Sequence, residues 1–289
     1  MSRKKLDNAI TAFKASLMEE LKNGFEIPEA QLYLNFKDRH GDKIRQIKHI
    51  TQISTIHVNN HIFANQLKLL ALLEDYVDAI DSNKTVGIYL YGRTIFELAA
   101  FLHDVTDRLL ITKQITDIRW KDKGVEFFNT IIRARFGTSN SYLISLLQKG
   151  KISRRNTAPI NVSFSISKLL SKKEHRRLQG KYDMLCDYVH HNFSSSTVSI
   201  SGIRQESTAR HSSGGAIRLP HKSVINVYSV DQSDKSNRAA EQTMATVVDC
   251  VAVCRHALST IPESPYSKEF LTEMTGLSSG FMMFPPRIP

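Results

Sequence analysis

The chain has 289 residues, 41% of them hydrophobic, enough to bury the core of one large domain, and its 13 glycines and 8 prolines are too few for a sandwich or barrel of many turns. Its 39 Lys and Arg against 28 Asp and Glu leave a formal charge of +11, which favours a polyanionic partner without choosing between RNA, DNA and a membrane surface. Three cysteines, no apolar run near the ~18 residues of a membrane span, and no hydrophobic segment behind the basic start Met1–Lys5 argue against a disulfide scaffold, a membrane protein and a secretory signal; a soluble cytoplasmic protein is expected.

Leu6, Ile10, Phe13, Leu17 and Leu21 recur at threes and fours, so residues 3–23 predict an amphipathic helix that Gly24 stops. Between Ile27 and Gly41, Pro28 and the alternation Leu32, Leu34, Phe36 suggest a short strand or irregular hairpin. Ile44, Ile47, Ile50, Ile53 and Ile56 follow at threes, which fits a helix, although the Thr and Ile content also suits strands. From His57 to Ile80 a stripe of Ile62, Leu67, Leu70, Leu73, Val77 and Ile80 predicts a helix. His57 and His61 stand one turn apart, a spacing zinc uses, but with no third ligand nearby they are read as solvated or core-edge histidines. Asp81-Ser82-Asn83 breaks this helix, and Ser82 or Asn83 is a candidate cap for the next.

That next helix, Val86–Ile111, carries Leu90, Ile95, Leu98, Ala99, Leu102, Val105 and Leu109 and should be the centre of a bundle. Arg93 and Glu97, four apart in this apolar setting, read either as an internal ion pair or as a cation held by its carboxylate to take a phosphate. Trp120–Phe136 predicts another helix, closed by Gly137, and Tyr142–Leu147 a short one. The loop with Lys149, Lys151, Arg154 and Arg155 is a candidate phosphate footprint, though it lacks the interleaved aromatics that stack single-stranded bases. Lys172, Lys173, Arg176 and Arg177 then form a cationic first half for the helix through Tyr182–Asn192; positive charge at a helix start is unfavourable, which hints at an anionic partner.

In that helix Asp183, Asp187, His190 and His191 share a face while Leu185, Tyr188 and Val189 can turn inward. A metal set of Asp183, Asp187 and His191 on one helix would lack a distant ligand, so no metal and no cofactor are expected. Residues 194–236 are Ser-rich, with alternating runs around Ile200 and Val224–Tyr228, and predict a small β-hairpin flap tipped by Ser213-Gly214-Gly215. Ala239–Ile261 returns to helix with Met244, Val247, Val251, Cys254 and Leu258 inward; Cys250 and Cys254, one turn apart, read as small core residues, and Pro262 ends the helix. The expected architecture is mainly α: a helical bundle with that hairpin flap, divided into a helical or irregular region over 1–55, the bundle over 56–262 and a peripheral tail over 263–289.

Arg93-x-x-x-Glu97 and the later Tyr182-x-x-Leu185-Cys186-x-x-Val189-His190-His191-Asn192 resemble a paired motif of helical bacterial proteins, with Cys186 where that motif has Ser and His191 where it has Pro. Through them, over about residues 85–260, the chain is similar to the HEPN superfamily, many of whose members are metal-independent ribonucleases of toxin–antitoxin and antiviral systems. It departs from the HEPN nuclease pattern of Arg, four to six residues, then His on one helix: no arginine stands at that distance before His190 or His191, and Arg204 with His211 lies in the Ser-rich segment. The resemblance implies an RNA-cleaving or RNA-targeting effector, with His190 as base or acid, Arg93 as phosphate cation, Glu97 orienting it and Asn192 as a donor to the phosphate. Such chemistry needs only an imidazole titrating near neutrality and a guanidinium. It also implies a homodimer and a protein partner or antitoxin. The alternative is a basic helical protein that binds nucleic acid, RNA more than DNA, or a protein without catalysis; nucleic acid would be held by Lys149, Lys151, Arg154, Arg155, Lys172, Lys173, Arg176 and Arg177.

Overall fold

Helical periodicity carries through most of the chain. The computed structural model describes residues 3–22, 43–111, 117–149, 154–189, 200–206, 223–228, 233–267 and 270; of residues 200–206 and 223–228 it describes the backbone. The fold is mainly α. In chain order the helices are α1 (Arg3–Lys22), α2 (Lys43–Asp81), α3 (Thr85–Ile111), α4 (Trp120–Phe136), α5 (Ser141–Lys149), the single turn α6 (Arg154–Thr157), α7 (Val162–Ser171), α8 (Gln179–Val189) and α9 (Ser233–Thr260). A 3₁₀ turn at Asp117–Arg119 precedes α4 and a 3₁₀ segment, Lys173–Leu178, precedes α8. The backbones of β1 (Ile200–Glu206) and β2 (Ser223–Tyr228) pair antiparallel, with a register shift between Ile200 and Gly202. The segment read as a strand or hairpin over 27–41 and the tip at Ser213-Gly214-Gly215 lie outside the described residues.

The isoleucine run at 44–56 is helix. α2 is one element of 39 residues, and the spacing of three puts Ile47, Ile50 and Ile53 on one buried side, where a strand would have sent them to alternate faces. Its end differs from the expectation that Ser82 or Asn83 caps the following helix. Asn83 adopts a left-handed φ of 54°, its N–H donates to Ile80 O at 3.1 Å, and Lys84 N–H donates to Ala79 O at 2.8 Å. This pair of bonds is a Schellman motif, which satisfies carbonyls of the preceding helix. Asn83 therefore closes α2, and α3 begins after Lys84, whose carbonyl accepts from Ile88 N–H.

The basic run at 172–177 also differs from the sequence reading. It is not the first half of an α-helix through Tyr182: Lys172 closes α7, Lys173–Leu178 is a 3₁₀ segment, and α8 starts only at Gln179. Arg176 and Arg177 thus stand just before the N-terminus of α8 rather than within its first half.

The chain divides into two compact units. One comprises Leu72–Phe96 and Arg177–Val248. Its interior is tied by Tyr76 Oη and Thr243 Oγ1, 2.7 Å apart, and by Tyr89 Oη, which donates to Gln242 Oε1 at 2.8 Å. The Tyr89 and Tyr188 rings stack at 4.0 Å, and Phe96 lies 4.8 Å from Tyr182. Gly92 lies close to both α8 and α9: a Cβ there would stand 3.3 Å from a Leu185 methyl, which would have to give by a few tenths of an ångström, and at ordinary contact, 3.8 Å, from Val247.

The other unit comprises Ser2–Ala71, Glu97–Arg176 and Asp249–Pro289. Ile53, Phe128 and Ile132 form one buried group with Phe136 and Leu147 packed on it, and Ile47, Ile50 and Tyr266 form another with Trp120 and Phe270. Glu263–Tyr266 is seated in this unit. Thr55 Oγ1 donates to Glu263 O at 2.6 Å, Tyr266 Oη donates to Trp120 O at 3.0 Å, and Pro265 and Tyr266 are buried. Cys250 and Cys254 are buried, as small core residues should be, and burial pushes both thiols up.

Candidate nucleic-acid interface

Within the second unit, one buried carboxylate organises a set of cations. Asp104 lies on the inward face of α3 and its side chain is fully buried. A buried charge needs partners, and Asp104 has four bonds. Arg108, one turn along α3, donates through Nε at 3.0 Å and Nη2 at 2.9 Å. Lys168 Nζ donates at 3.0 Å and Ser165 Oγ at 3.0 Å, both from α7. Burial alone would raise the Asp104 carboxyl, but the bonds from Arg108 and Lys168, the Arg108 charge and the Ser165 hydroxyl outweigh it and hold the group below the usual carboxylate range.

α7 reaches this position because its ends and faces are fixed by sequence. Asn161 caps it, its Oδ1 accepting from Phe164 N–H at 3.1 Å. Ser165, Ile166, Leu169 and Leu170 are buried. The opposite face carries Phe164, which is exposed, and then Lys168 and, at the helix end, Lys172, at successive steps of four. Asp107, one turn on from His103, adds a second carboxylate: its Oδ2 lies 3.2 Å from Lys168 Nζ and 3.6 Å from Lys172 Nζ. His103 and His175 meet edge to face with ring centroids 5.8 Å apart. Burial pushes the His103 imidazole down; Asp107 draws it back up, and His175, Lys172 and Lys168 lower it again.

Two carboxylates thus orient Arg108, Lys168 and Lys172, and beyond them Lys173 and Arg176 are exposed. The result is a basic strip in which Arg108, Lys168 and Lys172 gather about the two carboxylates and the exposed Lys173 and Arg176 follow along the chain. Three of its members, Lys172, Lys173 and Arg176, are residues that sequence reasoning assigned to nucleic acid. Arg108, Lys168 and the two carboxylates were not assigned, although Asp104-x-x-x-Arg108 and Phe164-x-x-x-Lys168-x-x-x-Lys172 both carry the one-turn spacing that places side chains together.

The other expected residues are placed as follows. Lys149 is exposed at the end of α5, and Arg177 is exposed in the first unit. Arg154 and Arg155 open α6 by their backbone, while their side chains and all of Lys151 lie outside the described residues. Arg93 and Glu97 are half-buried one turn apart on α3; His190, His191 and Asn192 lie outside the described residues.

His57 and His61 are not at the edge of the core but inside it, at 1% and 2% exposure. Arg135 Nη1 and His57 Nδ1 are hydrogen-bonded, and Phe128 and Phe136 meet the His57 ring edge on at 5.8 and 6.1 Å. Burial, with the Arg135 charge beside it, pulls the His61 imidazole down to about 3. Among the described residues no group of three or more His, Cys, Asp or Glu is arranged to hold a metal, and no described helix is long and apolar enough to cross a membrane. No protein-family model matches the chain, and no curated protein or solved structure matches it either.

Proposed function

We propose that this protein binds nucleic acid, RNA in preference to DNA, and that Arg108, Lys168, Lys172, Lys173 and Arg176 form its footprint. The observation that supports this most is the anchoring of the cations: a buried Asp104 fixes Arg108 and Lys168 in place, so part of the entropy of ordering long basic side chains is met by the fold before any ligand arrives. Phosphates would then release condensed counterions on meeting a preset row of positive charge. The test is fluorescence anisotropy of the full chain with labelled RNA, alone and as a Lys172→Gln, Lys173→Gln, Arg176→Gln triple variant. Weaker binding by the triple variant supports the assignment; unchanged affinity removes it.

A second reading is ribonuclease activity without a metal, as an effector of a bacterial defence or toxin–antitoxin system, with His190 as base or acid, Arg93 as phosphate cation, Glu97 as its orienter and Asn192 as donor. Besides the HEPN resemblance, it is favoured by Gly92, next to Arg93, which abuts Leu185 of the helix leading directly into His190. The paired β1 and β2, with the Ser- and Gly-rich residues between them, would serve as a flap, and a homodimer with a protein partner or antitoxin belongs to the same reading. Cleavage of RNA in EDTA by the wild type, abolished in Arg93→Ala and His190→Ala variants that keep the wild-type melting temperature, is the expected outcome; absence of cleavage leaves the binding function alone.

A further inference from the structure

The basic strip begins at an aromatic ring that the core does not need. Phe164 is 56% exposed on the outer face of α7, where a hydrophobic side chain of that size gains little by burial. The Arg108 guanidinium stands 5.7 Å from its ring centroid, within cation–π range. Arg108 is held there by its two bonds to Asp104, so an exposed ring and a positioned guanidinium lie together. From Phe164 the cations continue at steps of four residues, Lys168 then Lys172, each step advancing about 6 Å along the helix. Lys173 and Arg176, both exposed, come next along the chain in the 3₁₀ segment.

A double helix keeps its bases stacked on one another and shows a protein its phosphates and groove edges, so a lone exposed ring beside phosphate-binding lysines has nothing to stack on in a duplex. An unpaired strand offers both features together: a free base face for the aromatic ring, and phosphates for the cations that follow. Asp107 pairs with both Lys168 and Lys172 and opposes an anion there, which leaves the exposed Lys173 and Arg176 as the stronger phosphate contacts. Resting on the nucleic-acid reading above, we infer that the ligand is single-stranded and that one of its bases stacks on Phe164 beside Arg108, with the backbone following Lys168, Lys172, Lys173 and Arg176. No base identity is read by such a platform, so the preference is for strandedness rather than sequence.

The experiment compares three fluorescein-labelled probes by anisotropy with the full chain: a short single-stranded oligouridine, an RNA duplex of the same length, and an abasic strand with the same phosphates. Wild type is expected to bind the oligouridine best. Phe164→Ala should weaken oligouridine binding roughly 5- to 150-fold, the cost of one lost base stack, leave abasic binding unchanged, and keep the salt dependence and the melting temperature. Phe164→Trp should restore binding, because it restores the ring. If wild type binds duplex and abasic strands as well as oligouridine and Phe164→Ala changes nothing, single-strand stacking is refuted while nucleic-acid binding stands. If none of the three probes binds even at low salt, the nucleic-acid reading fails and this inference with it.

Discussion

Replacing Asp104 by Asn changes one atom and should be among the most damaging conservative substitutions in the chain. The carboxylate is fully buried and takes four bonds, two at each oxygen: Arg108 Nε and Lys168 Nζ at Oδ1, Arg108 Nη2 and Ser165 Oγ at Oδ2. An Asn oxygen placed at Oδ1 keeps two donors as a neutral acceptor, but its NH₂ then faces Arg108 Nη2, donor against donor. A charge-assisted bond contributes about 1.5–3 kcal/mol and a hydroxyl bond about 0.5–1.5. Arg108 and Lys168 side chains are 35% and 25% exposed and can turn towards water, which discounts the loss. The expected cost is about 2–4 kcal/mol, roughly a 4–16 °C fall in Tm for a chain of this size class. Asp107→Asn, at a carboxylate 26% exposed, is the control and should cost less than about 1 kcal/mol. Denaturant unfolding of the three proteins decides it: Asp104→Asn within about 0.5 kcal/mol of wild type, or no worse than Asp107→Asn, would refute the claim that a buried carboxylate organises the strip.

Two further outcomes follow from the same unit. His61 is held neutral in the fold with a pKa near 3 against 6.5 unfolded, so the unfolded chain binds the extra proton in between: this contribution to stability is full above about pH 6.5 and is lost as pH falls, by roughly 1.4 kcal/mol per pH unit. His61→Gln should flatten the acid limb by that slope, and a limb identical to wild type would contradict the assignment. Gly124→Ala would drive a Cβ into Tyr266 Oη, the hydroxyl that donates to Trp120 O, and should cost about 1–3 kcal/mol; adding Tyr266→Phe should recover part of that loss, and strictly additive costs would show that the two positions do not meet.

The sequence showed its helices wherever one period dominated. Trp120–Phe136 was bounded correctly from its apolar spacing and Gly137, and the isoleucines at threes resolved to α2 once all of one side had to be buried. Local signals misled where two readings fit the same residues: Asn83 serves equally as an N-cap or as a left-handed helix end, and only the bonds to Ile80 and Ala79 choose. The basic run at 172–177 was visible as charge, but not its division between the end of α7 and the 3₁₀ segment Lys173–Leu178. What organises the strip could not be read, because Asp104 meets Ser165 and Lys168 across about sixty residues of chain and no spacing rule reaches that far. For the same reason His57 and His61 looked like edge histidines until Arg135, far along the sequence, was found beside them.

The most direct test of nucleic-acid binding is the slope of log affinity against log salt for single-stranded RNA, measured for wild type and for the Lys172→Gln, Lys173→Gln, Arg176→Gln variant. Each phosphate contact on a single strand contributes about 0.7 to that slope. If the strip is the footprint, the variant's slope is shallower by about 2, with its melting temperature little changed because Lys173 and Arg176 are exposed and Lys172 gives up only a part-exposed ion pair with Asp107. Equal slopes for the two proteins, or wild-type affinity that does not vary with salt, would contradict it.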